Sequence, residues 1–252
     1  MDAIVLISVV RDFAMYDRCV KGNPFVAGAE LCPIDNRAKN EGIPVGYNRF
    51  LDSRPPDERA WYVFCHEDFE WRAPVAEIFA PSRFPAAAGD PTESLWGPIG
   101  AATRVRFGLY HQWCLVGSVE ECRKDGTNRR CIGTAVAAGT PVETFDCQCL
   151  AVHSTLVQRH RLRFDEALTF DLYAEEFCLA AQQTAGTVSR VLPMAACHWS
   201  GGSVQPRYYA QEAHVNAKYP SLCATGTSSL ILGGNPPFGR RLTVALKKLV
   251  RG

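Results

Sequence analysis

The sequence predicts an α/β domain with a mostly parallel central sheet flanked by helices. Three observations carry that prediction. Strand-like apolar runs alternate with helix-patterned segments through the first quarter of the chain, polar and chemically capable side chains fall where those strands end, and proline and glycine punctuate the joints.

Residues 3–10, AIVLISVV, form an unbroken apolar run of the kind a strand shows when both faces are covered, and RDFAMYDRCV after it spaces Phe13, Tyr16 and Val20 as a helix does. AELCPIDN reads as a second strand ending at Asp35 and Asn36, IPVGYNRFLDSR as a helix stopped by Pro55-Pro56, and YVFC as a third strand. Residues 81–94 read as a Pro/Ala/Gly-rich loop, LWGPIGAA and YHQWCLVGSVE as strands, and KDGTN as a hairpin turn. VETFDCQCLAV reads as one strand, DLYAEEFCLAAQQTAG as a helix capped by Gly186, and VSRVLPMAACHWS as a strand ending in His198 before a Gly201-Gly202 turn.

The 252 residues suffice for one large core, and 47% hydrophobic with 21% charged residues excludes a disordered chain. Lys and Arg number 27 against 26 Asp and Glu, so no net field favours a nucleic-acid partner. The N-terminal apolar run lacks the basic flank and length of a signal peptide, and no run approaches the ~20 apolar residues of a membrane span. Eleven cysteines without a C-x-x-C pair argue against zinc-ribbon and thioredoxin chemistry and predict reduced thiols in a cytoplasmic protein. From Pro236 onward five basic residues and no acid accompany Leu242, Leu246 and Leu249 at helical spacing. That divides the chain into a domain at 1–235 and a tail at 236–252, which either docks on the domain or lies peripherally on the inner face of an anionic membrane.

The chemistry is concentrated in YVFCHEDFEW, residues 62–71, where a buried strand turns abruptly polar. Alternation along an extended chain sends His66 and Asp68 the same way and Glu67 elsewhere. An imidazole and a carboxylate so placed can hold a divalent cation against phosphate oxygens; the plain alternative is a helix-capping acid beside a polar strand end.

Several blocks in order resemble the GT-A glycosyltransferases, specifically their bacterial family 2-like branch: PIDN at 33–36, GYNRFLD at 46–52, FCHEDFEW as a His-x-Asp version of the Asp-x-Asp motif, RFDEALTFDLYAEEFCLAAQQTAG, and CHWSGGS. The resemblance extends over roughly residues 3–203. It implies an inverting, hexosyltransferase-type enzyme that moves a sugar from a UDP or GDP donor to an acceptor hydroxyl, on a carbohydrate or other molecule, with Mn²⁺ or Mg²⁺. It implies Asp68 as a metal ligand, with His66 and His198 completing the set, His198 alternatively only bonding a phosphate or closing the core. Around the donor it implies Val10, through the main chain after it, Asp35, His66, Asp68, and Asn36 and Asn48, which either hold ribose or brace the loop. Glu176 stands where the family's catalytic base stands, with Glu175 and Asp171 as the other candidates; Glu176 is one methylene longer than the usual Asp. Trp71, Trp96, Trp113 and Trp199 are either a floor for sugar or core indoles. Loops 81–94 and 201–229 are expected to order on ligand binding. Two rivals remain: a sugar nucleotidyltransferase, against which stands the glycine-free VVRDFAMYD where a phosphate loop would be, and a catalytically inactive nucleotide- or sugar-binding module.

Overall fold

The computed structural model describes residues 2–106, 110–200, 206–229 and 231–251. The expected Gly201-Gly202 turn lies outside them, as does the side chain of Leu249.

Strand β1 (Ala3–Val10) leads into α1 (Phe13–Tyr16), which continues as a wider helical turn to Lys21, and then into β2 (Glu30–Asp35), α2 (Ile43–Ser53) and β3 (Ala60–Cys65). A short β4 (Phe69–Trp71) and α3 (Val75–Ile78) follow, then β5 (Ser94–Gly97), β6 (Ile99–Arg106), β7 (Tyr110–Glu121) and β8 (Arg130–Thr134). The rest comprises β9 (Pro141–Val142), β10 (Thr144–Phe145), β11 (Cys149–His153), α4 (Ser154–His160), α5 (Tyr173–Ala185), β12 (Val188–Val191), β13 (Ala196–His198), α6 (Pro206–Lys218) and α7 (Phe238–Arg251).

The main sheet has the order β2-β1-β3-β11-β5-β12-β9. β2, β1 and β3 are parallel; β11 runs against both β3 and β5, which returns β5 to the first direction, and β12 follows β5 in parallel. Only β11 and the edge strand β9 therefore oppose the rest. A second sheet, β10-β6-β7-β13-β4 with β8 on β7, packs beside it.

Alternation along β1 explains why its run is apolar throughout: Val5, Ile7 and Val9 enter one core layer, under α2 and α5, while Ile4, Leu6 and Val10 enter the other, with α1 and β4. β3 repeats this, with Tyr62 and Phe64 on one side and Trp61, Val63 and Cys65 on the other. α2 lies so close to the sheet that a Cβ at Gly46 would meet Val9 Cγ2 at 2.7 Å. Gly186 closes α5 at φ 66°, a left-handed cap that glycine adopts without strain.

Three expected strands are divided. LWGPIGAA breaks at Pro98, which has no ladder N–H, and its halves join different sheets as β5 and β6. VETFDCQCLAV splits into β9, β10 and β11, because the Asp146 carboxylate accepts the Gln148 N–H at 3.1 Å and folds the chain into a turn. VSRVLPMAACHWS splits around Pro193 into β12 and β13.

Candidate active site

Three ligand-bearing side chains meet because two short strands pair. β13 runs antiparallel to β4 with His198 opposite Phe69, and the Trp199 N–H donates to the Asp68 carbonyl at 3.0 Å. His66, at the end of β3, is tied to β11's turn by its own N–H donating to Gln148 O at 3.0 Å. His66 Nδ1, Asp68 Oδ1 and His198 Nε2 consequently converge: 3.3 Å between the imidazoles, 3.3 Å from His198 to Asp68 and 3.9 Å from His66 to Asp68. Ligand atoms of the three residues lie within 4.8 Å of one another.

The electrostatics of this cluster suit a cation. Burial pushes the Asp68 carboxyl up, but the neighbouring His198, with His66 and Lys124 adding, outweighs it and holds the group below its ordinary value. Burial drives His66 down to about 4, so its ring is neutral at physiological pH. Burial also pulls on His198, but Asp68 outweighs it and raises His198 above its ordinary value. Asp68 Oδ1 is buried without a hydrogen-bond partner of good geometry, its 3.3 Å approach to His198 being an ion contact. A buried carboxylate oxygen whose only close approach is the poorly aligned His198 contact, beside the neutral His66 imidazole, fits a divalent metal ion.

The hydrogen bonds also fix which nitrogen of His66 is bare. Tyr173 has one hydroxyl proton, and it goes to the Cys147 carbonyl at 2.5 Å, an oxygen that can only accept. The Tyr173 oxygen, 2.8 Å from His66 Nε2, therefore accepts that N–H. This leaves the Nδ1 lone pair facing Asp68 and His198.

His66 and Asp68 of this cluster line a cavity of about 810 Å³, with His198 behind them, bordered by the carboxyl ends of β1, β2 and β3, where open α/β sheets bind ligands. Arg11 and Asp12 from β1's end, Asn36 and Glu41 from β2's, and Tyr47 from α2 line it. β3 ends at Cys65 and residues 66–68 form a turn, so strand alternation does not separate the three side chains. Glu67 lines the same cavity as His66 and Asp68, and its carboxylate receives the Arg11 and Asp12 N–H groups at 2.5 and 3.0 Å, binding the end of β1 to the β3–β4 turn.

Several expected donor residues are placed otherwise. Asp35 does not line the cavity: Arg37, two residues on, captures both its oxygens at 3.0 and 2.6 Å in an exposed pair. Val10 is buried in the core, and it is Arg11 and Asp12 after it that reach the cavity. Asn48 braces the segment before α5, giving its amide to Phe164 O and Glu166 Oε1 and accepting the Phe164 N–H, each at 2.9 Å. Asn36 lines the cavity while its amide closes the β2–α2 loop onto Glu41.

The three acids near α5 have separate fates. Glu176 is fully buried, bonded to Tyr219 and to Lys218 Nζ at 2.8 Å, and does not line the cavity. Asp171 lies before α5 rather than in it, and holds Arg207 at 2.6 Å. Glu175 is also buried and outside the cavity lining: it accepts from Thr227 Oγ1 at 2.6 Å and Cys147 Sγ at 3.2 Å, Cys147 being the residue whose carbonyl anchors Tyr173, the neighbour of His66. Burial, with the charge of Asp146, pushes Glu175 up to about 7. Trp71, Trp96, Trp113 and Trp199 do not line the cavity; Trp71, Trp96 and Trp199 are buried core indoles.

Sequence reasoning did not single out Lys124, Phe170 or Arg207, all of which line the cavity. Lys124 comes from the β7–β8 hairpin, and Phe170 stacks on His66 at 5.8 Å while carrying the Arg207 guanidinium 4.9 Å from its ring. No periodicity marks them, because each reaches the site from a loop or helix end brought in by tertiary packing.

Sheet order and the crevice at the strand ends are those of a GT-A fold. Two solved structures align over most of the chain. One is GalNAc-T7 with UDP, GalNAc and Mn²⁺, at TM-score 0.50 and 8% identity over 85% of this chain. The other is S. aureus TarS 1–349 in complex with UDP-GlcNAc, at TM-score 0.50 and 13% identity over 86% of this chain. The chain spans 48% and 66% of their respective lengths. No protein-family model and no curated protein matches the sequence.

Proposed function

We propose that the chain is a glycosyltransferase that moves a sugar from a UDP-type nucleotide-diphosphate donor to an acceptor hydroxyl, with inversion. One observation carries the reading: His66, Asp68 and His198 converge, and His66 and Asp68 open onto the crevice of a GT-A fold, where a donor diphosphate would lie. The bound UDP and UDP-GlcNAc of the structural neighbours support a uracil nucleotide over a guanine one. The His-x-Asp turn takes the place of Asp-x-Asp, as in the bacterial family 2-like branch.

His66, Asp68 and His198 would hold Mn²⁺ or Mg²⁺, which when bound supplies positive charge against the departing diphosphate. Arg11, Lys124 and Arg207 bring three further cations to the same cavity. The nucleotide occupies the β1–β2 side, contacting Arg11, Asp12 and Asn36. Of the three acids, we assign Glu175 as the base that takes the acceptor's proton. Its pKa of about 7 suits that task, Glu176 is committed to Lys218 and Tyr219, and Asp171 is committed to Arg207. Thr227 must swing away to admit the acceptor, which gives the expected ordering of 201–229 a concrete residue to follow. A cytoplasmic setting, in which eleven free thiols persist, belongs to the same proposal.

The test is transfer and hydrolysis from a panel of UDP- and GDP-sugars with and without Mn²⁺. Metal-dependent turnover of UDP-sugars supports the reading. Tight UDP-sugar binding with no turnover on any acceptor class would instead favour the inactive binding module.

A further inference from the structure

Helix α7 is docked the wrong way round for a water-soluble helix. The side chains that hold it to the domain are polar: Arg240 pairs with Glu143 at 2.7 Å and donates to Cys223 Sγ at 3.2 Å, and Thr243 Oγ1 accepts the His111 N–H at 3.0 Å. Arg240 and Thr243 are buried. Phe238, by contrast, is 71% exposed and Leu246 45% exposed. Phe238, Leu242, Ala245 and Leu246 recur at the i, i+4, i+7, i+8 spacing of one helical face, and Ala245 is exposed with the two large side chains. A surface helix ordinarily buries such a stripe and leaves its arginine and threonine in water.

We infer that the Phe238–Leu246 face of α7 is a docking surface for an anionic lipid bilayer. Charge selects this occupant. Residues 236–252 contain five basic residues and no acid; one of the five, Arg240, is used by Glu143, and Arg241 is exposed. A second copy would bring two net-positive segments together, whereas a negatively charged surface suits both the exposed apolar side chains and the positive charge of residues 236–252. Among the described residues no helix is long and apolar enough to cross a membrane, so α7 would lie in the interface, held to the domain by its opposite face. This inference is independent of the transfer reading, because none of these residues lines the active-site cavity.

The experiment is sedimentation of the full chain with vesicles of phosphatidylglycerol and phosphatidylcholine, or of phosphatidylcholine alone, with circular dichroism and thermal unfolding measured in parallel as a check on the fold. The wild-type chain should sediment with the anionic vesicles, less so at high salt, and stay in solution with the neutral ones. Phe238→Ser with Leu246→Ser should abolish sedimentation, and Arg241→Glu should weaken it by at least about fivefold, the worth of roughly one basic side chain near such a surface. Equal sedimentation of the wild-type and the doubly substituted chain overturns the inference. So does a wild-type chain that ignores anionic vesicles, including one that self-associates through Phe238 and Leu246 in analytical ultracentrifugation, which would assign the stripe to a second copy.

Discussion

The hydroxyl of Tyr173 lies 2.8 Å from Nε2 of His66 and donates its only proton to Cys147 O, so it sets the His66 tautomer from behind the His66–Asp68–His198 cluster. Tyr173→Phe removes the acceptor for the Nε2–H. We expect Mn²⁺ affinity to fall by about 10–100-fold, as for other outer partners of metal-binding histidines. Nitrogen-15 spectra of the ion-free protein should show wild-type His66 protonated at Nε2 and the variant as a tautomer mixture. An unchanged His66 spectrum and Mn²⁺ affinity in Tyr173→Phe would show that Tyr173 is only a packing residue.

Glu175 makes stability depend on pH in a predictable direction. Its folded pKa, about 7, lies above the ordinary 4.5, so the fold favours its protonated form. The associated stability is full below about pH 4.5 and is lost as pH rises through about 7, by about 3 kcal/mol in total. Glu175→Gln should flatten this slope in urea denaturation while lowering kcat and leaving UDP affinity intact. A variant with wild-type kcat would remove Glu175 from the role of base.

Glu176 is predicted to serve the fold. Lys218→Met leaves a buried carboxylate with Tyr219 alone, and should cost about 1–3 kcal/mol in denaturant unfolding without changing UDP affinity. If Glu176→Gln instead abolishes transfer at wild-type stability, Glu176 is the base and the assignment of Glu175 fails.

Lys124 and Arg207 approach the cavity from the β7–β8 hairpin and from α6. Neutralising either, Lys124→Ala or Arg207→Ala, should weaken UDP binding by roughly tenfold, about 1.4 kcal/mol, and reduce its dependence on salt. UDP affinity unchanged in both variants would place the diphosphate elsewhere.

The parts of this structure that were legible in the sequence are those set by local pattern. The apolar alternation of β1 and β3 specified a doubly covered sheet, Pro55-Pro56 and Gly186 marked helix ends, and the polar switch after Cys65 marked the site. What was illegible depends on long-range pairing. Nothing in LWGPIGAA says that Pro98 divides two sheets rather than bending one strand, and nothing in CHWS says that His198 will face Phe69. Asp35 lies outside the cavity lining, its carboxylate paired with Arg37 two residues on, an arrangement set by side-chain geometry rather than by pattern. Glu175 and Glu176 are adjacent acids whose environments diverge only after Lys218 and Thr227 arrive from distant segments.

The central claim, that His66, Asp68 and His198 hold the ion against which a diphosphate binds, is tested most directly by calorimetric titration of UDP into the wild-type chain and Asp68→Ala, each with and without Mn²⁺. The account predicts that Mn²⁺ tightens UDP binding to the wild-type chain and leaves the variant unchanged. Equal enhancement by Mn²⁺ in both chains, or none in the wild type, would contradict it.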